Sequence, residues 1–496
     1  MNTSITIIKM EWRLLTADRT AWLALAVCVI ASIAAITNGA RLARERQAAV
    51  QEVRSEVRRA REAVQAKAQL YESEIERKLI PFTIPVPYPG PTNPFWASWN
   101  ARPFALLPPG PLAALTVGNE EMQPTVIPVY SPGYTPIQQT PNPLAMLSGH
   151  WDLTFVVVYL LPLLIISLTF NLVAGERETG RLVLLLSQPL TLRTLVMAKL
   201  LLRLLLIVGA TGLSIGIELF LQRDVIGSAG AGRIGTWCAF AGVYGVFWCA
   251  ISIMVNSFNY KAATNALILL TCWIFLAVLL PAVLLFAARV RYPLPSRLQY
   301  INSERDIDDH LKKIKPLSRE PNLAATRDRF LKMFFDHHPE ITSYAKYDSE
   351  EGRYRIFNEA KREEKERLMK PLQDEVERAQ HGQEIIVERM SYVIPPLLLE
   401  RSLETVSGSG PARYTAYRNE VNDFVLSWRA WFWPKLFRNA VFASDDYMRI
   451  PEFTFVEEPF VPNRRQIAEP FASLIAFSLA FGSLGQWRFR RYRVVE

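Results

Sequence analysis

Six apolar windows stand out along the chain, at 20–38, 153–174, 196–221, 235–255, 265–288 and 471–487. About 20 such residues cross the hydrocarbon core of a bilayer as a helix. The pattern therefore predicts a mostly α, polytopic membrane protein with six spans. Pro162 interrupts the second window and Pro281 the fifth, and the sixth window is the shortest. The first follows a basic segment and contains Leu25-Ala26-Val27-Cys28. Val27 stands where a lipoprotein-type cleavage box needs a small residue, and the apolar run continues well past Cys28. A retained span is expected rather than a cleaved leader.

Two long polar blocks separate these windows. The first, 39–152, opens as a helix continuous with the first span: Val50, Val53, Val57, Ala60, Val64 and Tyr71 recur at spacings of three and four. Such a seam fits either a coiled coil or an antiparallel packing helix. From Pro81 the composition turns Pro-rich (Pro85, Pro87, Pro89, Pro91, Pro94, Pro108, Pro109), which excludes a continuing helix. The second block, 289–470, carries charged helical stretches and an aromatic cluster at Trp428, Trp431, Phe432, Trp433 and Phe437, suited to a domain core or a membrane interface. A strand-like Phe453-Thr454-Phe455-Val456 precedes the last span. Both blocks are too long for loops and predict one mainly helical domain built from two inserts. The chain thus divides into 1–38 (interfacial helix and first span), 39–152 (first insert), 153–288 (spans two to five, with a connecting helix at about 176–190), 289–470 (second insert) and 471–496 (last span and basic tail).

Charge sharpens the topology. A net charge of +9 would make nucleic acid a partner to consider in a soluble chain. No zinc-finger spacing or basic-aromatic reading motif accompanies it, and no nucleic-acid partner is expected. Lys9, Arg13, Arg177, Arg181, Arg193, Lys199, Lys261, Arg488, Arg490 and Arg491 fall in the short segments that six spans place on one side. The positive-inside rule makes that side the cytoplasm, and with it both termini. The two inserts are then expected on the far side of the membrane. All four cysteines (Cys28, Cys238, Cys249, Cys272) lie in apolar windows and read as packing residues.

Catalytic patterns are weak. Asp336-His337-His338 and Asp308-Asp309-His310 lack metal-ligand spacing, and Glu363-Glu364 and Glu457-Glu458 are adjacent pairs whose members diverge. The sequence holds no G-x-x-x-x-G-K-[ST], so no P-loop nucleotide site is expected, nor any bound cofactor or metal.

The segment joining the second and third spans is the most informative. It reads Gly175-Glu176-Arg177-Glu178-Thr179-Gly180-Arg181, a Leu-rich stretch with Leu185 and Leu186, then Gln188-Pro189 and the Lys199 helix. A charged, Gly-containing corner followed by a short stiff helix can transmit force into two spans at once; it can equally lie passively on lipid. These residues resemble those of the ABC type-2 exporter permeases. Asn142-Pro143, Gly149, Asp152 and the run 155–171 look like a subfamily with large inserts after the first and before the last span. The resemblance implies the ABC type-2 exporter transmembrane fold. It also implies that Gly175, Glu176, Arg177, Glu178, Gly180, Arg181, Leu185, Leu186, Gln188 and Pro189 form the coupling helix that docks on an ATP-binding cassette subunit. That separate ATPase would hold the ATP and Mg. Thr179 and Arg181 flank Gly180 where relatives often carry Arg-Gly-Thr, which leaves the docking chemistry open. The resemblance further makes the amphipathic N-terminal segment an elbow helix, with Ile8, Trp12 and Leu15 on one face and Lys9 and Arg13 on the other.

Within the spans, Glu218, Phe247 and Trp248 are candidates for a translocation path, against interfacial pairing of Glu218 with Arg223 and plain packing of the aromatics. The leading expectation is a non-enzymatic permease subunit of an exporter. It would be dimeric with a second copy or a related permease, with a periplasmic or outer-membrane partner as a further expectation. The alternative is a membrane-anchored scaffold or signalling component on the same fold. An ion-coupled carrier would show paired broken, polar helices, and the sequence shows no such pair.

Overall fold

The structure, a computed structural model, describes residues 2–76, 90–101, 103–118, 123–129, 151–187, 191–221, 230–316, 320–343, 350–438, 440–460 and 464–492. Six helices are long and apolar enough to span a membrane: Arg19–Glu74, Leu153–Glu178, Leu192–Ile217, Ala231–Asn256, Ala262–Arg291 and Arg465–Phe489. They coincide with the six windows. Both described chain ends lie at one end of this bundle, here the terminal face. The large helical domain covers the other.

Asp18 separates an N-terminal helix, Asn2–Ala17, from one continuous helix, Arg19–Glu76. The Asp18 carboxylate caps the latter by accepting from the Thr20 N–H at 3.0 Å and the Thr20 hydroxyl at 2.6 Å. The long helix has 58 residues, so it runs about 87 Å, nearly three times the thickness of a hydrocarbon core. Its second half stands outside the bundle as a pillar for the domain. The valine seam packs on that domain: Val50, Val64 and Ala68 are buried, Val53 and Val57 half-buried. It therefore acts as a packing helix for its own chain.

Prolines shape three spans in one way. A π turn at Val156–Leu160 precedes Pro162, one at Ile274–Leu279 precedes Pro281, and one at Arg464–Ala468 precedes Pro470. A proline removes an N–H and crowds the carbonyl four residues earlier, and widening the preceding turn relieves both. For Pro162 that carbonyl belongs to Val158, and it accepts the buried Tyr244 hydroxyl at 3.0 Å. The fourth and sixth spans pack closest. A Cβ at Gly485 would come within 2.8 Å of the Met254 backbone nitrogen, so only glycine permits this approach.

The domain has a single aromatic-rich core to which both inserts contribute: Val64, Ala68, Ala97, Leu107 and Ile127 from the first, Phe330, Phe334, Tyr417, Trp428, Phe432 and Tyr447 from the second. Trp428 stacks on Phe432 at 5.0 Å, which assigns the aromatic cluster to the core and away from the membrane interface. A short antiparallel pair, Phe104–Leu106 with Val126–Pro128, closes one side. The stretch 453–456 pairs with no strand among the described residues, in contrast to the strand its alternation predicts. Phe453 and Phe455 meet the Tyr417 ring edge-on at 5.7 and 5.8 Å, so its aromatic side docks on a helix. The Pro-rich residues 81–89, with Asn142, Pro143 and Gly149, lie outside the described residues.

The histidine clusters are tied into structure. His337 Nδ1 and His338 Nε2 meet the two oxygens of Glu363 at 2.7 and 3.0 Å, while Asp308 pairs with Lys365 and Asp309 with Lys312. Among the described residues, no group of His, Cys, Asp and Glu is arranged to hold a metal ion.

One helix departs from the sequence reading. Pro395–Ser407 belongs to the second insert, yet Leu398, Leu399, Leu403 and Val406 join the span core, with Leu153, Val156, Trp237 and Phe240. It closes the bundle at the domain end.

Candidate coupling site at the terminal face

After Thr169 the second span loosens into a turn, and its freed carbonyls find side-chain donors on neighbouring spans. Asn256 Nδ2 donates to Thr169 O at 3.0 Å, and Asn265 Nδ2 to Phe170 O at 3.3 Å. Two short helices follow, Ala174–Glu178 and Arg181–Leu186, split at Gly180. Gly180 has φ +72° and open space around its α-carbon, so glycine is required there by backbone conformation alone. Arg181 Nε donates across the break to the Thr179 hydroxyl at 3.0 Å, so the two residues that depart from the family pattern brace the corner together.

The three charged residues of the corner reach in three directions. Glu176 pairs with Lys199 of the third span, whose ammonium also meets Glu11 of the N-terminal helix at 3.2 Å and the Leu172 carbonyl at 3.3 Å. Lys199 and Glu11 are both about 3% exposed. Arg203, one turn further along, donates to the Leu168 carbonyl. Arg177 donates to the carbonyl of Asn259 at 2.7 Å, to its side-chain oxygen, to Tyr260 O at 3.0 Å and to the Tyr492 hydroxyl at 3.3 Å. Glu178 accepts the Ala262 N–H at 2.8 Å, where a carboxylate also meets the positive end of the fifth span. The corner thus ties together the N-terminal helix, spans three and five, the link from span four and the C-terminal segment.

The helix Arg181–Leu186 shows two faces. Leu182 is buried and Leu185 and Leu186 pack against the span core, whereas Val183 is 51% and Leu184 71% exposed. Sequence reasoning named the inner pair and missed the outer one; the buried Leu182 fixes which way the helix faces. Gln188 and Pro189 lie outside the described residues, and Gly175 makes only ordinary contact with Asn171. In the N-terminal helix, Leu15 shares its buried face with Glu11, while Trp12 and Arg13 are exposed. Trp12 and Leu15 thus part company, because the i, i+4 pair Glu11 and Leu15 defines the inward stripe. Glu11 was legible only as an acid on an otherwise basic amphipathic helix. The side chains of Ile8 and Glu218 lie outside the described residues. Phe247 and Trp248 are fully buried, packed against Tyr244, and Phe247 also meets Phe477 and Phe481 of the sixth span. Their contacts are those of helix packing.

The domain end holds a contrasting cluster. Asp152 caps the second span by accepting from Phe155 N at 2.8 Å, and it also accepts from Val117 N at 2.9 Å. Glu400 and Glu404 lie one turn apart on Pro395–Ser407. Burial pushes Glu400 up to about 7, helped by the charge of Asp152 and opposed by Arg401. Burial and then the charge of Glu400 push Glu404 up to about 8.

Comparison with known families agrees with this architecture. A model of the ABC-2 family transporter protein matches residues 5–323, and a domain of unknown function, DUF3526, matches residues 306–456. No curated protein and no solved structure matches the chain. The first match takes in the N-terminal helix, five spans and the whole charged corner; this multi-pass membrane protein belongs to the ABC-2 transporter family.

Proposed function

We propose that this chain is the permease subunit of an ATP-driven exporter in a bacterial inner membrane. A separate ATP-binding cassette subunit supplies hydrolysis and holds the ATP and Mg, and a second permease copy or a related permease completes the membrane unit. The observation that carries this reading is the helix Arg181–Leu186. Its outer face offers Val183 and Leu184 to a partner, while Leu182 and the corner before it are anchored in the spans. A push on that face is delivered to spans three and five and to the N-terminal helix together, through a buried ionic link at Lys199 and an exposed hydrogen bond at Glu178.

The basic residues of the terminal face support a cytoplasmic position for it, which puts the helical domain outside. There the domain and its Pro395–Ser407 helix close the exit end of the bundle and present a surface to an envelope partner. The test is co-purification in mild detergent with the ATP-binding subunit encoded nearby, followed by an ATP hydrolysis assay of the complex. A stable, hydrolysing complex is expected. Absence of any such complex, with the permease folded, would contradict the reading and favour a scaffold on the same fold.

A further inference from the structure

Next to the corner, the ends of the fourth and sixth spans enclose a cavity of about 260 Å³. Its walls are unusual for a span end. Arg488 and Arg491 both line it, along with Ser257, Asn259 and Tyr492. Arg488 lies over the Phe258 ring at 3.9 Å and Arg491 over the Trp487 ring at 4.3 Å. These rings hold the guanidinium planes without using their N–H donors. Arg488 Nε is buried and has no hydrogen-bond partner among the described residues, and neither guanidinium has a carboxylate partner among them. Among the described residues the other donors are also free. Asn259 Oδ1 and the Tyr492 oxygen accept from Arg177, which leaves the Asn259 amide N–H groups and the Tyr492 O–H to donate. Arg177 itself bonds neutral acceptors and brings a third positive charge to the same place.

A cavity with two forked cations, further neutral donors and no acid among the described residues of its lining fits a phosphate anion. Its position at the end of two spans, with Trp487 half exposed beside it, is the depth of a lipid headgroup. We propose that this cavity binds the phosphate of an anionic phospholipid headgroup. Arg488 and Arg491 are the charge-bearing contacts, and Asn259 and Tyr492 are neutral donors. The assignment of the leaflet as cytoplasmic rests on the orientation proposed above; the cavity and its chemistry do not. Because Asn259 and Tyr492 also hold Arg177, an occupied cavity would stiffen the corner from behind.

The test is native mass spectrometry of the purified full-length chain, without any ATPase, titrated with phosphatidylglycerol, phosphatidylcholine and inorganic phosphate. Wild type is expected to retain phosphatidylglycerol at least fivefold over phosphatidylcholine. Arg488→Gln/Arg491→Gln should lose that preference, while Lys9→Gln/Arg490→Gln, which removes two charges outside the cavity, should keep it. If the double variant fails to fold, Arg491→Gln alone, whose side chain is exposed, should lower retention about threefold or more. Displacement of the lipid by millimolar phosphate would support the phosphate chemistry and make the free anion a competing source; no displacement supports the lipid alone. Equal retention of both lipids by wild type, or unchanged retention in the folded cavity variant, would overturn the proposal. Since no ATPase is present, that failure would leave the exporter reading standing.

Discussion

At the terminal face Lys199 sits buried between Glu11 and Glu176, with Arg203 one turn away. At the domain end Asp152, Glu400 and Glu404 crowd together with Arg401 opposing them. Both clusters close the same bundle, but the first matches its charges and the second stacks like ones. At the first, the Lys199 ammonium lies between two carboxylates, so each acid has a cation beside it. Crowded carboxylates relieve their repulsion by keeping protons. The end proposed to receive force is tied by ion pairs, and the domain end is built responsive to protonation.

Substitutions at each end put this contrast to the test. Lys199→Met should have the largest effect, because it strands two carboxylates in a buried site. Breaking such a pair costs about 3–5 kcal/mol, to be read as a much lower melting temperature in detergent. A melting temperature near that of wild type would show the terminal cluster to be solvated rather than matched.

At the domain end the effect depends on pH. Glu400 and Glu404 carry folded-state values raised to about 7 and about 8 from the ordinary 4.5. The folded state therefore binds more protons than the unfolded one between about pH 4.5 and 8. Their contribution to stability is complete below pH 4.5 and is lost as pH rises through 7 and 8. Melting temperature should fall by several degrees from pH 6 to pH 9 in wild type. In Glu400→Gln/Glu404→Gln it should fall much less. An equal slope in both proteins would remove the contrast between the two ends.

The smallest effect is expected at the corner itself. Gly180→Ala meets no steric obstacle, so its cost is the left-handed backbone alone, about 1–2 kcal/mol. It should loosen the helix Arg181–Leu186 without unfolding the spans, a change visible as faster hydrogen exchange confined to 174–187.

Much of this was legible in the sequence. Span number follows from apolar length, since nothing but the bilayer requires six windows of that size. The corner was legible because charges and glycine at a span end are costly unless used. The partners of those charges were not legible. Glu11 lies 165 positions before Glu176 and meets it only through Lys199, a contact made by tertiary packing. Pro395–Ser407 was missed for a related reason: 13 residues carrying two glutamates read as a soluble helix, and only the burial of Leu399 and Leu403 against the spans shows otherwise. The outward turn of Val183 and Leu184 escaped because five of the six residues of that helix are apolar, so periodicity gave no face.

The outer face of Arg181–Leu186 is the proposed docking surface. The direct measurement is the affinity of the purified permease for the ATP-binding subunit proposed above, compared between wild type and Leu184→Asp. An exposed side chain can be changed without disturbing the spans, so the variant should melt like wild type and bind the ATPase at least tenfold more weakly. Wild-type affinity in a folded Leu184→Asp protein would contradict the assignment of this helix as the coupling surface.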